Sequence, residues 1–288
     1  NLVRGKGANL GELTKIGAPV PNGCIVTSQA YYEAIKESGA LDRIKGILFS
    51  LNVEDPVGLA TKAKACQEEI KRIDLPKALE DKIFKFYEKL SDGKNVLVAV
   101  RSSATAEDLP EASFAGQQAT FLNIKGKKDL LEAILGAWAS LFEARAIFYR
   151  VQQNFDHFRV GIAVPVQIMV QSETSGIMFT LDPITNDKDT IIIEAVFGLG
   201  ETIVGGQVTP DHYEITKKGF KLKTKTVVKQ EKQLVGTKTS NKMIDVSKAF
   251  QKEQKLPDDK IIELAKIGKS IEDHYYFPQD MEWAYEDK

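Results

Sequence analysis

The sequence predicts an α/β protein built in two parts, and three observations carry this prediction. Apolar residues recur at helical spacing in the first half, most clearly over residues 129–150. The short run Val96–Val100 is apolar, rich in β-branched residues and of the length of a buried strand. After about residue 159, short β-type segments separated by turns dominate. We therefore place the boundary near Pro165, with parts at 1–165 and 166–288.

The individual elements follow from local signals. Glycines and prolines punctuate residues 1–23, which predicts loops around a short helix. Residues 28–36 predict a helix that Thr27 or Ser28 caps and Gly39 ends. Residues 56–90 predict two helices separated near Pro76. We expect Asp129 to cap the helix over residues 129–150.

The second part predicts strands and a last helix. The expected strands cover residues 160–170, 176–180, 190–195 and 279–285. The Lys- and Thr-rich stretch 217–243 predicts surface hairpins or loops. Pro257 and Asp258 open the last helix.

Composition excludes some classes of function. The chain has 288 residues and 43% hydrophobic content, which is ample for a core. Its 39 basic and 40 acidic residues give a net charge of −1, which favours neither nucleic acid nor a membrane surface. No apolar run approaches the roughly 18 residues that span a bilayer. Cys24 and Cys66 fit no zinc or redox motif, so we expect reduced thiols in a cytoplasmic protein.

Both ends of the sequence predict a piece of something longer. The chain begins at Asn1 without Met or a signal-type stretch, and its last residues follow a strand-like segment with no obvious closing element. We therefore expect the second part to be truncated at its C-terminus.

Two segments in the first part of the chain are suited to binding an anion. Residues 5–11 (GKGANLG) place three glycines around Lys6, although a lone loop lysine is most often an ordinary surface residue. Arg101 follows a buried strand, where a fixed stem and a planar fork suit bidentate phosphate recognition. The alternative is that Arg101 pairs with Glu107 or Asp108 and anchors the loop.

Two further segments complete the set of candidates. Residues 113–120 centre on Gly116 and end at Thr120, which suits either a loop over phosphates or an ordinary turn. In the strand 279–285, Asp280 and Glu282 share a face because alternate residues do. Mg²⁺, which binds through one or two carboxylates plus substrate phosphates, would relieve their repulsion; a solvated acidic face is the alternative.

Taken together and in order, these segments resemble a known family. The resemblance rests on GKGANLG (5–11), VRSSATAEDLP (100–110), SFAGQQ (113–118) and QDMEW (279–283), with FDHF, VPVQ, SGIMFT and GLGE between them. They are similar to the N-terminal ATP-grasp domain of phosphoenolpyruvate synthases, which pyruvate phosphate dikinases and rifampin phosphotransferases share. The segment GQVTPDHY (206–213) looks more like the synthases.

The resemblance implies a fold and a reaction. The fold is an ATP-grasp domain of two lobes with the ATP cleft between them. The reaction converts ATP, pyruvate and water to AMP, phosphoenolpyruvate and phosphate. In the family, a histidine on a separate swivelling domain attacks the β-phosphate and carries a phosphoryl group to pyruvate on a C-terminal barrel. Neither domain is represented here, and none of His157, His212 and His274 lies in a comparable setting.

The resemblance also implies the site residues. Lys6 and Arg101 would hold the phosphates and act in catalysis, and Gly116 and Thr120 would belong to the loop over the triphosphate. Gln167 would lie where the family holds adenine.

For the metal, Glu282 with Asp280 would bind Mg²⁺, and Glu282 the nucleotide as well. Two other functions stay open. One is an antibiotic phosphotransferase or a pyruvate phosphate dikinase, and the other is a stand-alone module that senses ATP.

Overall fold

A computed structural model describes residues 6–90, 96–104, 119–237 and 240–287. The chain divides into two compact units, residues 1–169 and 170–288. Each unit combines helices with a β-sheet, so the predicted α/β class is confirmed. Among the described residues, no helix is both long and apolar enough to cross a lipid bilayer.

The first unit contains most of the helices. Its helices are α1 (Lys6–Lys15), α2 (Ser28–Glu37), α3 (Ala40–Leu48), α4 (Pro56–Lys71), α5 (Lys77–Leu90), α6 (Lys127–Ala139) and α7 (Ala144–Gln152). Its strands are β1 (Gly23–Val26), β2 (Val98–Arg101), β3 (Ser103–Ala104), β4 (Thr120–Ile124) and β5 (Ile162–Ile168).

Local capping explains where two of these helices begin. The Thr27 side chain accepts a hydrogen bond from the Ala30 N–H, which confirms the expected cap of α2. Asp55 caps α4 in the same way, with Pro56 in the first turn, where its missing N–H costs nothing. The two helices expected over residues 56–90 are confirmed as α4 and α5. The helix α3 was missed, because its nine residues are too few for a clear apolar repeat.

The single helix expected over residues 129–150 is wrong. A 3-10 turn, Ser140–Phe142, separates α6 from α7. The Ser140 hydroxyl donates to the Ala137 carbonyl at 2.7 Å, which competes with the helical pattern. Asp129 is also not the cap: α6 begins at Lys127 after Gly126, so Asp129 lies in the first turn.

The sheet of the first unit has one apolar face. Its strand order is β1-β5-β2-β4, with β3 pairing β5, and the pairs are antiparallel. Val98, Val100, Val164 and Val166 are at most 1% exposed and belong to the core that the helices cover. Because side chains alternate along a strand, the neighbouring residues lie on the opposite face.

The second unit is a sheet backed by one long helix. Its strands are β6 (Thr174–Phe179), β7 (Thr190–Phe197), β8 (Asp211–Thr216), β9 (Lys221–Thr226), β10 (Lys232–Gly236), β11 (Asn241–Asp245) and β12 (Asp280–Tyr285). Its helices are α8 (Glu201–Val204) and α9 (Asp258–Tyr275). The main sheet has the order β12-β6-β7-β8-β9, and β10 and β11 form a separate ribbon. The expected hairpins within 217–243 are confirmed.

The second unit contains a buried ion pair at the start of β8. The side chains of Asp211 and Lys255 are fully buried and their charged atoms lie 2.7 Å apart. Asp211 also accepts hydrogen bonds from the Tyr213 hydroxyl and from the Val228 and Lys255 N–H groups. Because all these donors converge on one carboxylate, the buried charges are compensated.

A buried arginine organises the loop that follows α7. Arg150 is 1% exposed and donates to the Leu141 carbonyl and, through Nε at 2.9 Å, to Nδ1 of His157. An imidazole nitrogen that accepts this bond carries no proton. Burial, and then the positive charge of Arg150, lower the pKa of His157 from 6.5 to about 4, although Asp156 partly opposes this shift.

We expect the first unit to lose stability as the pH falls from 6.5 to 4. The lowered pKa means that the unfolded chain takes up the His157 proton before the folded chain does, so acid favours unfolding. After allowance for the partial exposure of His157, the free energy of unfolding should fall by about 2 kcal/mol. Urea unfolding across this pH range measures it. His157→Gln should show a shallower loss, and a loss equal to that of the unchanged chain would contradict the assignment.

Candidate polar faces on the two sheets

Four of the residues singled out from the sequence lie partly or wholly outside the described residues. Lys6 is the first residue of α1, but its side chain is not among those described. The helix it begins contacts β5. Gly116 falls within residues 105–118, which lie outside the described part of the chain, as do Glu107 and Asp108.

Arg101 and Thr120 are direct neighbours across two strands. Arg101 ends β2 and Thr120 begins β4, and the two residues are paired in the antiparallel register. Paired residues project from the same face of a sheet. Val100 is paired with Phe121 on the core side, so Arg101 and Thr120 lie on the face away from the core.

Gln167 lies on the same face, one strand further along. In β5 it is paired with Ala99, which is two residues before Arg101 in β2. The side chain of Gln167 is partly exposed and its Nε2 donates to the Pro21 carbonyl at 3.3 Å. A carbonyl can only accept, so this contact fixes which end of the amide faces Pro21. The unit division after Met169 places Gln167, with β5, in the first unit rather than in the part beginning at 166.

Gly23 makes room for Gln167, and the sequence alone gave no reason to select it. Gly23 is paired with Gln167 across β1 and β5. A Cβ atom at position 23 would lie 2.6 Å from the Val166 carbonyl oxygen and 2.8 Å from Cγ of Gln167. Glycine is therefore required by the close approach of the two strands at this point.

In the second unit, Asp280 and Glu282 occupy the exposed side of β12. The strand alternates, with Met281, Trp283 and Tyr285 packed on the apolar core and the two carboxylates exposed, as the sequence predicted. Burial, and then the negative charge of Glu282, raise the pKa of Asp280. The two carboxylates therefore repel one another where they stand, and a positive ligand would relieve this repulsion.

The same face carries two residues that sequence reasoning did not select. Glu282 is paired with Ile177, Ile177 with Glu194 and Glu194 with His212, which forms a row across four strands. Nδ1 of His212 lies 3.6 Å from Glu194. A lone charge within the apolar run of β7 was the available signal for Glu194. Among the described residues, no group of three or more His, Cys, Asp or Glu side chains is placed to hold a metal ion.

Comparison with known proteins places the chain in one family. The family model described as pyruvate phosphate dikinase, AMP/ATP-binding domain, matches residues 1–288. The chain is 47% identical to a probable phosphoenolpyruvate synthase of Methanocaldococcus jannaschii, covering 99% of this chain and 24% of that protein. It is 42% identical to the phosphoenolpyruvate synthase of Pyrococcus furiosus, covering 99% of this chain and 40% of the relative.

A relative with another name is similarly close. The chain is 42% identical to the rifampicin phosphotransferase of Bacillus cereus, covering 99% of this chain and 33% of that protein. The chain thus spans well under half of the length of each of these relatives.

We expect Gly23→Ala to destabilise the first unit by roughly 1–3 kcal/mol, because the added methyl group overpacks β1 against β5. The side-chain amide signals of Gln167 should shift in the NMR spectrum as its contact with Pro21 is disturbed. Gly46→Ala is the control: apart from its chain neighbours and its own helix backbone, no atom lies within 4 Å of the added carbon, and helix α3 should gain up to about 1 kcal/mol. Chemical denaturation of both variants and the unchanged chain makes the comparison, and a Gly23→Ala chain as stable as the unchanged one would refute the close approach at Gly23.

Proposed function

The chain belongs to the family of pyruvate phosphate dikinase AMP/ATP-binding domains, and on that premise we propose that its two units are the lobes of an ATP-grasp domain that binds Mg-ATP. The observation that carries this proposal is the pairing of Arg101 with Thr120 beside Gln167 on one sheet face. A guanidinium and a hydroxyl suit phosphate oxygens, and an amide suits the edge of a base.

Arg101 and Thr120 are proposed to hold the triphosphate. Both lie at strand ends, where the backbone fixes the side-chain stems and the polar groups project from the non-apolar face. Lys6, at the start of α1 next to β5, would add a second positive charge. Phosphoryl transfer depends mainly on positioning and on stabilising charge, so these cations would serve catalysis as well as binding.

Gln167 is proposed to contact adenine. Its Nε2 donates to the Pro21 carbonyl, which leaves Oε1 as the acceptor of the pair. Adenine carries an exocyclic amine that can donate to such an oxygen, whereas guanine has a carbonyl at the corresponding position. This orientation therefore supports a preference for ATP over GTP.

Asp280 and Glu282 are proposed to hold Mg²⁺. The donor set fits the ion, since two exposed carboxylates on one face repel one another and Mg²⁺ prefers carboxylate oxygens together with phosphates. When bound, the ion would neutralise charge on the β- and γ-phosphates. Glu282 would also contact the nucleotide.

For the whole protein, we propose the synthase reaction. ATP, pyruvate and water would yield AMP, phosphoenolpyruvate and phosphate by way of a phosphohistidine on a swivelling domain and a pyruvate-binding barrel outside this chain. His157 and His212 do not suit that role: Nδ1 of His157 accepts from Arg150, and His212 lies between Glu194 and Glu214. The reaction would take place in the cytoplasm, where it can serve gluconeogenesis.

An antibiotic phosphotransferase is the second candidate. The 42% identity to the rifampicin phosphotransferase of Bacillus cereus favours it, because the same nucleotide-binding residues can serve a different acceptor. Assaying the whole protein with pyruvate and with a rifamycin separates the two. A stand-alone ATP sensor would bind ATP and form AMP with neither acceptor.

We expect Arg101→Ala to slow AMP formation by the whole protein on the order of 100-fold in a single turnover at saturating ATP, and to weaken ATP binding less. Charge moves between phosphates in the transition state, where the Arg fork gains most. Arg101→Lys should rescue little, because a point charge cannot form two parallel hydrogen bonds. Arg145→Ala removes an exposed arginine on α7 and serves as the control. A wild-type rate for Arg101→Ala would make Arg101 only a structural anchor.

Glu282→Gln should raise the Mg²⁺ concentration for half-maximal ATP binding by about tenfold, because one anionic ligand becomes neutral. Titration calorimetry of the chain with ATP over a series of Mg²⁺ concentrations measures this. Glu263→Gln neutralises an exposed carboxylate of α9 and is the matched control. Equal Mg²⁺ dependence in both variants would remove Glu282 from the metal site.

A further inference from the structure

Ser102 joins the two strand ends that carry Arg101 and Thr120. It follows Arg101 directly, is 2% exposed and makes two hydrogen bonds to the residue before Thr120. The Ser102 N–H donates to the Ala119 carbonyl at 2.9 Å, and the Ser102 hydroxyl accepts from the Ala119 N–H at 2.8 Å. In this second bond a side-chain oxygen takes the place that a strand carbonyl has in an ordinary antiparallel pair.

On the other side of β2, the pairing with β5 is interrupted beside Ser102. Val100 pairs with Val166 and Ser103 pairs with Ala163, so the register continues and Arg101 and Ser102 come opposite Pro165 and Val164. The pairing of β2 and β3 with β5 is interrupted at these two positions. Pro165 has no N–H to donate, which weakens the ladder there. With pairing to β5 interrupted, the bonds of Ser102 to Ala119 hold the end of β2.

We propose that Ser102 is a positioning residue that sets the separation of Arg101 and Thr120 for the nucleotide's phosphates. The inference rests on the proposed function, because it assigns Ser102 to the phosphate end of the same site. Ser102 does not touch the ligand; it acts through its neighbours on either strand. Its side chain is buried and accepts a hydrogen bond from the Ala119 N–H, so we expect its effect on a ligand to pass through Arg101 and Thr120.

A buried hydroxyl elsewhere in the unit provides a matched comparison. Ser140 is 8% exposed and its hydroxyl donates to the Ala137 carbonyl at 2.7 Å, in the turn between α6 and α7. Ser140→Ala therefore removes a buried hydroxyl and one hydrogen bond, as Ser102→Ala does. Only Ser102→Ala should disturb the strand ends that carry Arg101 and Thr120.

The test uses the 288-residue chain with Mg²⁺ and either ATP or adenosine as the titrant. Ser102→Ala should weaken ATP binding about three- to tenfold, the range expected for one lost hydrogen bond, and leave adenosine binding unchanged because adenosine has no phosphates. The Ala119 amide should exchange faster with solvent, and Ser102→Thr should restore both the amide protection and the ATP affinity. Ser140→Ala should bind both ligands as the unchanged chain does.

The outcomes separate the inference from the proposed function. ATP affinity that is unchanged in Ser102→Ala, while the Ala119 amide exchanges faster, overturns the positioning role. So does an equal loss of affinity in Ser140→Ala or an equal loss for adenosine. If Ser102→Ala does not fold, Ser102→Cys, with a weaker acceptor of similar size, gives the same comparison. No ATP binding by the unchanged chain removes the proposed function and this inference with it.

Discussion

The register of β5 between β1 and β2 is the constraint on which the first unit's polar face depends. Val164 and Val166 are buried against the helices, and a shift of one residue would turn them outward and turn Gln167 into the core. The energy of burying these valines therefore fixes where Gln167 points. The same alternation in β2 turns Val98 and Val100 inward and Arg101 outward, so the polar face is a consequence of the apolar one.

Local patterns in the sequence were sufficient for elements whose signal lies within the element. The alternation of carboxylates and large apolar residues in β12 is complete within six residues, and its two faces were predicted. The two helices α4 and α5 were predicted because Pro76 interrupts the pattern between them. The break between α6 and α7 was missed because polar contacts support it: the Ser140 hydroxyl donates to the Ala137 carbonyl, and Arg150 donates to the Leu141 carbonyl. Apolar periodicity carries no trace of either contact.

For the candidate site, residue types were predictable but their supports were not. Arg101, Thr120 and Gln167 attract attention as polar residues at strand ends or in an apolar strand. Gly23 and Ser102 matter only once the strands are paired, since one clears space for Gln167 and the other replaces a missing ladder bond. Pairing between residues more than 140 positions apart, as in Gly23 with Gln167, is a tertiary fact that a local pattern does not contain.

Three carboxylates of the second unit show how burial separates a structural role from a binding role. Asp211 is fully buried and accepts from Lys255, Tyr213 and Val228, so its oxygens are already occupied by the protein. Asp280 and Glu282 instead face a like charge on an exposed strand, which favours an added cation. Asp211 belongs to the segment GQVTPDHY, which resembles the phosphoenolpyruvate synthases in sequence. The contacts of Asp211 explain why an aspartate is present: it compensates the charge of the buried Lys255. This need is the same whichever molecule accepts the phosphoryl group.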